Sequence, residues 1–486
     1  MKLNALAGAV PGEVKITGNP ETEIASLCVD SRRATPGSLF FCIPGLHTDA
    51  HDLAPQALAK GAVALVVERE LPLDCPQVKV ESVRRALSYM AQEFFGNPAR
   101  RLKLIGITGT KGKTTASFLN KSVLEAAGHK AGMIGTVCSM IGEEVIPSRL
   151  TTPDPIEVQT LLKSMADAGV EYVVMEVSAH ALAMHRLSGL RFAVAAFTNF
   201  SQDHLDYFGD MDTYFKAKMR LFQPDMSEAI VYNCDDERVA AGIKELGREA
   251  LRTGIRESSD VYANDIEVGE RGLSFLLTFH KRFRVLVELQ LAGIFNVYNA
   301  LLAAGVGIAL GIGPDAIRRG LEDVRAVPGR IELLETETPY RVILDYAHSP
   351  DSLENILKSV RQTTKGRLIA LFGCGGDRDH GKRPIMGEIA GELADLVILT
   401  SDNPRNEDPF AILNQIEEGI RHTGCEYTVI ENRREAIRHA LSIAESSDVI
   451  VLAGKGHETY QEIRGVKHPF DEKIVVKELL REMRGK

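Results

Sequence analysis

The 486-residue chain is too long for one ordinary hydrophobic core, so its length predicts two to four domains. Its composition, with 44% hydrophobic and 25% charged residues and no low-complexity tract, is that of a globular protein. A net charge of -9 argues against a nucleic-acid groove along the whole protein, although local basic clusters can still bind small anions. We therefore expect no nucleic acid among its partners.

Cysteine usage and hydropathy bear on the compartment. The seven cysteines are scattered without a CxxC pair, which indicates reduced thiols in a reducing compartment. The N-terminus reaches Pro11 without the apolar segment of a signal peptide, and no apolar run approaches the roughly 20 residues that a membrane span needs. These features predict a cytoplasmic protein without membrane insertion, and we take a monomer as the default.

The first 99 residues alternate short apolar runs with turns. The segments GSLFFCIPG and GAVALVVE are typical of strands, and LAPQALAK and VRRALSYMAQEFF are typical of helices. Glycine and proline in residues 96–100 indicate a linker. We predict that residues 1–99 form a small N-terminal α/β domain.

From residue 102 the alternation of strands and helices becomes regular. LKLIGIT predicts a strand, TTASFLNKSVLEAAG a helix that ends at Gly128, and YVVMEVS and AVAAFTNF two buried parallel strands. Residues 261–289 alternate as strands, and FNVYNALLAAGVGIALG is helical. The prediction is a central domain over residues 100–330, with a parallel or mixed sheet of the P-loop ATPase type.

A third α/β series follows the VPGR segment at residues 327–330. RVILDYA, RLIALFG, DLVILTSD and DVIVLAGKG are apolar strands with helices between them, which implies a second doubly wound parallel sheet. Residues 331–486 are therefore predicted to be a Rossmann-like domain. The fold class expected for the whole chain is α/β with three domains.

The GITGTKGKTT segment predicts a phosphate-binding loop. Backbone N–H groups of residues 109–113 are suited to phosphate oxygens, Lys113 to the β and γ phosphates, and the Thr114 hydroxyl to Mg²⁺. A strict Walker A motif would have glycine at position 107, where this chain has Ile107. The ordinary structural explanation is a turn that only closes a strand–helix unit. Gly-Lys-Thr between a clear strand and a clear helix favours nucleotide binding.

Polar residues follow the next two strands. Glu176 and His180 end one strand, and Asp203 and His204 end the next, so all four are expected near the carboxyl edge of the sheet. Carboxylates are natural Mg²⁺ ligands and imidazoles unusual ones, and a single strand-end histidine is more often only hydrogen-bonded. Their combination beside a phosphate loop favours a metal-and-phosphate site.

The helix TYFKAKMRLF offers two lysines to this site. Lys216 and Lys218 are about 200° apart on a helical wheel, so only one can face it. Either lysine is otherwise explained as a solvated surface charge, and periodicity alone does not choose between them.

Ten segments in order carry a resemblance to a known family. GTKGKTT, MEVSAHAL, FTNFSQDHLDY, FNVYNALLAA, VPGR, LDYAHSPDSL, GCGGDRD, DNPR and AGKGHE, with DSRRATPGSLFF near the start, resemble the motifs of Mur ligases over essentially the whole chain. The match looks like that of members that add meso-diaminopimelate to UDP-N-acetylmuramoyl-L-alanyl-D-glutamate for peptidoglycan synthesis. It implies uridine-nucleotide-binding, ATP-binding and Rossmann-like amino-acid-binding domains.

The resemblance also implies the chemistry and the site around ATP. Such a ligase transfers the γ-phosphate of ATP to a substrate carboxylate, and an amine then attacks the acyl-phosphate. Thr114, Glu176 and His204 match positions at Mg²⁺, and Lys218 matches the lysine that becomes carbamylated (N6-carboxylysine). The matching ATP contacts are Gly109, Thr110, Lys111, Gly112, Lys113, Thr114, Thr115, Asn296, Asn299, Arg330 and Asp345.

The resemblance further places the muramoyl-peptide contacts. Hydroxyls suit phosphate and amide oxygens, and an arginine suits a carboxylate. The matching residues are Ser31, Arg32, Thr151, Thr152, Ser178 and Arg186. The chain departs from many relatives at Ala179, where they have serine, but this leaves the neighbouring polar residues intact.

The specificity for the added amino acid is expected near TSDNPRNEDP. An Asn-Pro turn that starts a helix at Asp408 would explain this segment structurally. The resemblance instead makes Arg405 a bidentate partner for the second carboxylate of diaminopimelate, which lysine lacks, with Asp402 and Glu458 at its ammonium group. The full predicted set is Arg378, Asp402, Asn403, Pro404, Arg405, Gly454 and Glu458.

The sequence motifs also bear on four other functions. A nucleotide-driven switch would leave the C-terminal domain without a role and lacks the Asn-Lys-x-Asp motif, and a dehydrogenase would need GxGxxG where this chain has GCGGD. An enzyme resembling folylpolyglutamate synthase shares the phosphate loop, but DSRRATPGSLFF and DNPR favour the muramoyl enzyme. The alternatives that stay open are a lysine-adding muramoyl ligase and a folylpolyglutamate synthase-like ligase.

Overall fold

A computed structural model describes residues 1–45, 48–269, 272–280 and 282–484. The first 101 residues contain a five-stranded sheet in the order β1-β5-β4-β3-β2, in which only β1 is antiparallel to its neighbour. Its strands are β1 (Val14–Thr17), β2 (Ser26–Cys28), β3 (Ser38–Phe41), β4 (Ala62–Val67) and β5 (Gln77–Val80). The α-helices are α1 (Leu3–Gly8), α2 (Ala54–Ala59) and α3 (Val83–Phe94), with 3-10 turns at Ser31–Arg33, Ala50–Leu53 and Pro98–Arg101.

The second sheet has eleven strands, and its middle is parallel. The strands are β6 (Lys103–Thr108), β7 (Ala131–Ile134), β8 (Cys138–Ile141), β9 (Glu144–Pro147), β10 (Tyr172–Glu176), β11 (Phe192–Phe197), β12 (Ser227–Asn233), β13 (Leu251–Gly254), β14 (Val261–Val268), β15 (Leu273–Phe279) and β16 (Phe283–Leu289). Their order is β16-β15-β14-β13-β12-β11-β6-β10-β7-β8-β9, with antiparallel pairs only at the two ends.

Helices cover both faces of this sheet, which explains why its central strands are apolar throughout. The helices are α4 (Lys113–Ala126), α5 (Pro155–Asp167), α6 (Ala179–Ala183), α7 (Leu205–Phe208), α8 (Met211–Met219), α9 (Glu237–Glu245), α10 (Phe295–Ala309) and α11 (Pro314–Glu322), with a 3-10 turn at Arg220–Phe222. The buried clusters on the two faces bring α5 and α8 to one face and α4 and α10 to the other.

The third sheet has six strands in the order β17-β18-β22-β19-β20-β21, antiparallel only between β17 and β18. The strands are β17 (Glu332–Leu334), β18 (Arg341–Asp345), β19 (Leu368–Phe372), β20 (Leu396–Leu399), β21 (Glu426–Val429) and β22 (Val449–Ala453). The helices α12 (Pro350–Arg361), α13 (Lys382–Leu393), α14 (Pro409–Ile420), α15 (Arg433–Ile443) and α16 (Glu472–Arg484) pack on its two faces. A separate hairpin joins β23 (Tyr460–Ile463) to β24 (Val466–Pro469).

The predicted α/β class with parallel and mixed sheets is confirmed. The apolar runs that predicted strands in the central and C-terminal regions are strands, and residues 261–289 form β14 to β16, although positions 270, 271 and 281 lie outside the described residues. The predicted linker at 96–100 contains part of a 3-10 turn that packs against α5. The domain boundaries after residues 99 and 330 stay a prediction. Within the described ranges, no helix combines the length and apolarity that crossing a membrane requires.

Candidate active site

Three adjacent parallel strands bring the phosphate loop and the predicted polar residues to one edge. β6 lies between β10 and β11, so the loop after β6 is flanked by the ends of both neighbours. Glu176 is the last residue of β10, and Asp203 and His204 lie in the segment after β11. The carboxyl edge of this sheet is thus the candidate site, as expected for an open α/β sheet.

The conformation of the phosphate loop requires its glycines. Gly109 has a φ of +144° and Gly112 a φ of +82°, both in the region that favours glycine. A Cβ at Gly109 would lie 1.8 Å from Thr198 Oγ1, and one at Gly112 would lie 2.4 Å from Asn299 Oδ1. Thr198 also donates a hydrogen bond of 2.6 Å to the Lys111 carbonyl, so side chains from outside the loop hold its shape.

Glu176 lies at the centre of an oxygen-rich cluster beside the loop. Its carboxylate is buried and accepts hydrogen bonds from Thr114 Oγ1 (3.0 Å), Thr136 Oγ1 (2.9 Å) and the Thr136 N–H (3.0 Å). The Thr114 and Glu176 oxygens are the ligand type that Mg²⁺ prefers. Within the described residues there is no cluster of three acidic, histidine or cysteine side chains that would hold a metal alone. Sequence analysis missed Thr136, which no motif identifies.

Two lysines converge on one carbonyl of the phosphate loop. The Gly109 carbonyl accepts hydrogen bonds from Lys113 Nζ at 2.8 Å and from Lys218 Nζ at 2.7 Å. Desolvation lowers the pKa of Lys113 to about 8. Burial, and then the charge of Lys113, lowers the pKa of Lys218 well below its ordinary value. Lys216 is exposed, so Lys218 is the lysine of this helix that faces the site.

The two predicted histidines contact each other at the mouth of the site. Their ring centroids are 4.7 Å apart, and burial, followed by the charge of His204, lowers the pKa of His180 to about 4. His204 begins α7 with a φ of +56°. In the described part of the chain, no hydrogen bond or ion pair joins His204 to Glu176 or Thr114. His204 lies at the same edge of the sheet as Thr114 and Glu176, and this shared position is what links it to the predicted metal residues.

Asp203 is tied to the loop on the same side. Its carboxylate lies 3.2 Å from Lys111 Nζ. Burial alone would raise the pKa of Asp203, but Lys111 and then His204 lower it below its usual range. Asp203 is therefore ionised near neutral pH and holds Lys111 beside the cavity.

A cavity of about 440 Å³ opens between the phosphate loop, α10 and α12. Seven of the residues predicted to bind ATP line it: Lys111, Gly112, Thr114, Thr115, Asn299, Arg330 and Asp345. Gly109, Thr110 and Lys113 form the loop itself. Sequence analysis did not identify Tyr298, Asn233 or Asn199, which also line it.

The two asparagines predicted on α10, Asn296 and Asn299, have different roles. Asn299 lines the cavity, whereas Asn296 is not among the described residues that line it. Asn296 Oδ1 instead accepts a 2.9 Å hydrogen bond from Asn299 Nδ2, and its own Nδ2 donates to the Ala292 carbonyl. Asn296 therefore orients Asn299.

Arg330 and Asp345 close the cavity from the C-terminal side. The Arg330 guanidinium lies over the ring of Tyr346, 5.2 Å from its centre, and its buried Nε has no hydrogen-bond partner. Asp345 is buried, which raises its pKa, and it accepts a 2.8 Å hydrogen bond from the Ile331 N–H. An unpartnered guanidinium nitrogen beside this cavity suits an anionic ligand.

A second cavity of about 730 Å³ links the sheet edge to the third sheet. Asp203, His204 and His180 line one side, and Tyr346 and His348 lie between the two sides. Six of the seven residues predicted to recognise the amino acid line the other side: Arg378, Asp402, Asn403, Arg405, Gly454 and Glu458. The exception is Pro404, whose carbonyl accepts a hydrogen bond from the Glu407 N–H.

Arg405 is held by the β23–β24 hairpin. Its backbone has a φ of +50°, its N–H donates to the Glu462 carbonyl at 3.1 Å, and its carbonyl accepts from the Arg464 N–H at 2.7 Å. The guanidinium donates to the Gly376 carbonyl at 2.7 Å and lies 3.4 Å from the Glu462 carboxylate. The hairpin thus positions a side chain that belongs to another segment.

Four of the six predicted muramoyl-peptide contacts cluster behind Glu176. Thr152 Oγ1 donates to the Glu176 carbonyl at 2.8 Å, and Arg186 donates to the Thr152 carbonyl at 2.7 Å. Thr151 accepts from Thr136 at 3.0 Å, and Ser178 caps the N-terminus of α6.

The other two predicted contacts, Ser31 and Arg32, lie on the 3-10 turn after β2. Ser31 is buried and donates to Gln56, and the exposed Arg32 pairs with Asp30. Of the residues that the structure describes, neither lines the two cavities. The other four do not line these cavities either, and among the described residues no hydrogen bond or ion pair joins Ser31 or Arg32 to them.

Family models match most of the chain. They are the Mur ligase family catalytic domain over residues 23–95, the Mur ligase middle domain over 107–307 and the Mur ligase glutamate ligase domain over 329–456. The matches cover the phosphate loop, Glu176 and the Asp-Asn-Pro-Arg segment.

Two full-length relatives share one name. The chain is 46% identical to UDP-N-acetylmuramoyl-L-alanyl-D-glutamate–2,6-diaminopimelate ligase of Caldanaerobacter subterraneus, over 99% of both chains. It is 45% identical to the protein of that name from Geobacillus thermodenitrificans, over the whole of both chains. A solved structure of a protein with the same name superposes with a TM-score of 0.71 at 32% identity, covering 100% of this chain and 99% of the other.

Proposed function

This chain belongs to the Mur ligase family, and we propose that it joins meso-diaminopimelate to the D-glutamate of UDP-N-acetylmuramoyl-L-alanyl-D-glutamate, using ATP. The observation that carries the proposal is the 730 Å³ cavity, which connects the edge of the phosphate site to the Asp-Asn-Pro-Arg segment. Such a connection is what a ligase needs, because an activated carboxyl group and an amine must meet in one place.

The first step transfers the γ-phosphate of ATP. A carboxylate oxygen of the muramoyl dipeptide forms a bond to the γ phosphorus, the bond to the bridging oxygen breaks, and ADP leaves. Lys113 and the N–H groups at the start of α4 stabilise the negative charge of the transferring group. Arg330 and Asn299 position ATP from the opposite wall of the cavity.

The cluster at Glu176 fits Mg²⁺. Thr114 and Glu176 offer hard oxygen ligands, and the absence of a larger set among the described residues suits an ion that keeps several waters. Bound Mg²⁺ would neutralise charge on the phosphates during the transfer. We include His204 among the residues that hold it, on the basis of the family motif.

Lys218 is proposed to carry a carbamate. Its lowered pKa favours the neutral amine, which is the form that adds to carbon dioxide with formation of an N–C bond and release of a proton. The product is an anion next to Lys113, so it would attract the Lys113 ammonium group, which the protonated form of Lys218 would repel.

The second step forms the amide. The amine of diaminopimelate attacks the acyl carbon, the C–O bond to phosphate breaks, and the amine loses a proton. Arg405 takes the distal carboxylate, while Asp402, Asn403 and Glu458 surround the ammonium group at the same end. Closure of the cavity would protect the acyl-phosphate from water.

The remaining substrate contacts and the organisation are also proposals. We assign the muramoyl dipeptide to Thr151, Thr152, Ser178 and Arg186, and its uridine end to Ser31 and Arg32. The proposed domains are 1–99 for the uridine nucleotide, 100–330 for ATP and 331–486 for the amino acid. We propose a monomer, and a cytoplasmic location in which the seven free thiols stay reduced.

The product identifies the reaction. Incubation with ATP, Mg²⁺, the muramoyl dipeptide and diaminopimelate should give a compound whose mass is the sum of the two substrates minus one water, with one ADP formed for each product. Omission of the muramoyl dipeptide should abolish ADP formation. ADP release that never gives an amide product would contradict the proposal.

A further inference from the structure

A buried cation lies directly behind the amino-acid side of the 730 Å³ cavity. Lys455 has no exposed surface, and it is absent from the described residues that line the cavity. Its Nζ lies 3.1 Å from Glu458 Oε2, 3.2 Å from Asn403 Oδ1 and 3.6 Å from Asp402 Oδ1. One ammonium group therefore contacts all three side chains to which the ammonium end of diaminopimelate is assigned.

The three partners come from two separate segments. Asp402 and Asn403 follow β20, and Glu458 follows β22, whereas Asn403 Nδ2 also donates to Glu458 Oε2 at 2.9 Å. Asp402 Oδ1 is buried without a hydrogen-bond partner, although the Asp402 side chain lines the cavity. Lys455 is the shared contact that fixes the relative positions of these groups.

The charges explain why a cation is needed here. Two carboxylates, Asp402 and Glu458, face a ligand that brings one ammonium group. Lys455 cancels one of the two negative charges, so the site is left with a single negative charge. The nearby buried pair of Arg433 and Glu472 is neutral as a unit and does not change this sum.

We propose that Lys455 is a positioning residue that sets the geometry and the net charge of the ammonium site for the incoming amino acid. This inference rests on the proposed ligase function. Lys455 acts through Asp402, Asn403 and Glu458 and does not contact the substrate. Its loss should impair recognition of the amino acid and leave activation of the carboxyl group intact.

The test compares Lys455→Met with Lys467→Met. Lys467 lies on the exposed strand of the neighbouring hairpin, over the Tyr460 ring, and contacts none of the three partners. We expect Lys455→Met to raise KM for diaminopimelate by roughly 100-fold with kcat within about threefold, and Lys467→Met to behave as wild type. Capture of the acyl-phosphate by hydroxylamine, without diaminopimelate, should be unchanged in both and shows that the central site is folded.

A second variant separates charge from packing. If Lys455 balances the second carboxylate, Glu458→Gln should be far less harmful in the Lys455→Met protein than in wild type, since the double variant again has one negative charge. Additive losses, an unchanged KM, or equal losses of acyl-phosphate capture and ligation would each overturn the proposal. Should Lys455→Met not fold, Lys455→Gln provides the same comparison.

Calorimetry with diaminopimelate distinguishes a failure of the ligase proposal from a failure of the Lys455 proposal. Wild-type protein that binds diaminopimelate in calorimetry without ligating it would contradict the proposed function, and the variants would then be compared by their binding. We expect roughly 100-fold weaker binding for Lys455→Met in that case as well. No binding by the wild type would contradict both proposals.

Discussion

The phosphate region around Glu176 and the amino-acid region around Arg405 are held together in different ways. Around Glu176, the functional groups come from the ends of three adjacent strands and from the loop after one of them, so the sheet itself brings them together. Around Arg405, the positions depend on a hairpin, a buried lysine and loops after β19, β20 and β22. The groups proposed for the ATP step are thus placed by the edge of one sheet, and those proposed for amino-acid recognition by contacts between loops and a hairpin.

This comparison predicts that defects in the two regions are separable. Changes in the phosphate region should abolish acyl-phosphate formation and ligation together. Changes in the amino-acid region should spare acyl-phosphate formation.

Lys113→Met should reduce both acyl-phosphate capture and ligation by roughly 1,000-fold or more. The reason is the loss of the cation that stabilises the transferring phosphate next to the Gly109 carbonyl. ADP release in single turnovers measures the effect. Lys163→Met, on the exposed face of α5, is the matched control and should keep wild-type rates. Retained ATP turnover in Lys113→Met would remove the loop from the mechanism.

Lys218→Met should reduce acyl-phosphate formation by roughly 300-fold, and Lys216→Met should have little effect. Lys218 is buried on the Gly109 carbonyl, and Lys216, two residues earlier on the same helix, is exposed. With ¹³C-labelled bicarbonate, a carbamate NMR signal should be present in wild type and in Lys216→Met. It should be absent from Lys218→Met.

The pH dependence of that carbamate signal follows from the lowered pKa of Lys218. The neutral amine becomes the main form at a lower pH than in an ordinary surface lysine, so the carbamate signal should appear at a lower pH than that of an exposed lysine. A signal that follows the pH dependence of an exposed lysine would contradict the assignment of Lys218.

Arg405→Lys should lower kcat/KM for diaminopimelate by roughly 100-fold, because an ammonium group cannot replace a bidentate guanidinium. Acyl-phosphate capture by hydroxylamine should be unchanged. Arg464→Asn is the control: Arg464 is exposed in the same hairpin with a φ of +50°, which asparagine tolerates. Equal losses of both reactions in Arg405→Lys would erase the distinction between the two regions.

Glu407→Gln should lower the free energy of unfolding by roughly 3 kcal/mol at neutral pH. Hydrogen bonds from the buried Arg383 lower the pKa of Glu407 from 4.5 to about 2. A depressed pKa stabilises the fold above pH 4.5, and this contribution is lost as pH falls from 4.5 through 2. The difference between wild type and variant should therefore shrink over that window in denaturant titrations.

The control for that titration is Glu354→Gln, which removes an exposed i,i+4 pair with Lys358. Its effect should be within about 0.5 kcal/mol, since surface ion pairs contribute little. A pH-independent loss in Glu407→Gln would show that packing rather than charge stabilises the segment after Arg405.

The phosphate region was largely predictable because its residues lie within short motifs at strand ends. Lys113, Thr114 and Glu176 come together through a parallel register that apolar runs reveal. Helical periodicity could not choose between Lys216 and Lys218, because both faces of a short helix carry a lysine, and only the family resemblance selected Lys218. Thr136 was missed because it follows β7 in a segment without any motif.

The amino-acid region was predictable only as a set of residues. Arg405 and Glu458 were identified from resemblance, but β23 and β24 were not predicted, since their polar residues lack the alternation of a half-buried strand. Lys455 lies in the AGKGHE segment, yet its burial against three partners depends on contacts between loops. Periodicity carries no information about such contacts.

The two regions together predict that one protein activates a muramoyl dipeptide and delivers it to diaminopimelate recognised by Arg405. The most direct test is ADP release with ATP, Mg²⁺ and UDP-N-acetylmuramoyl-L-alanyl-D-glutamate, with meso-diaminopimelate or L-lysine added in parallel. We predict sustained turnover with diaminopimelate and at least about 100-fold lower kcat/KM with lysine. Equal turnover with lysine would contradict the role of Arg405, and no turnover with either amino acid, in folded protein that binds ATP, would contradict the ligase itself.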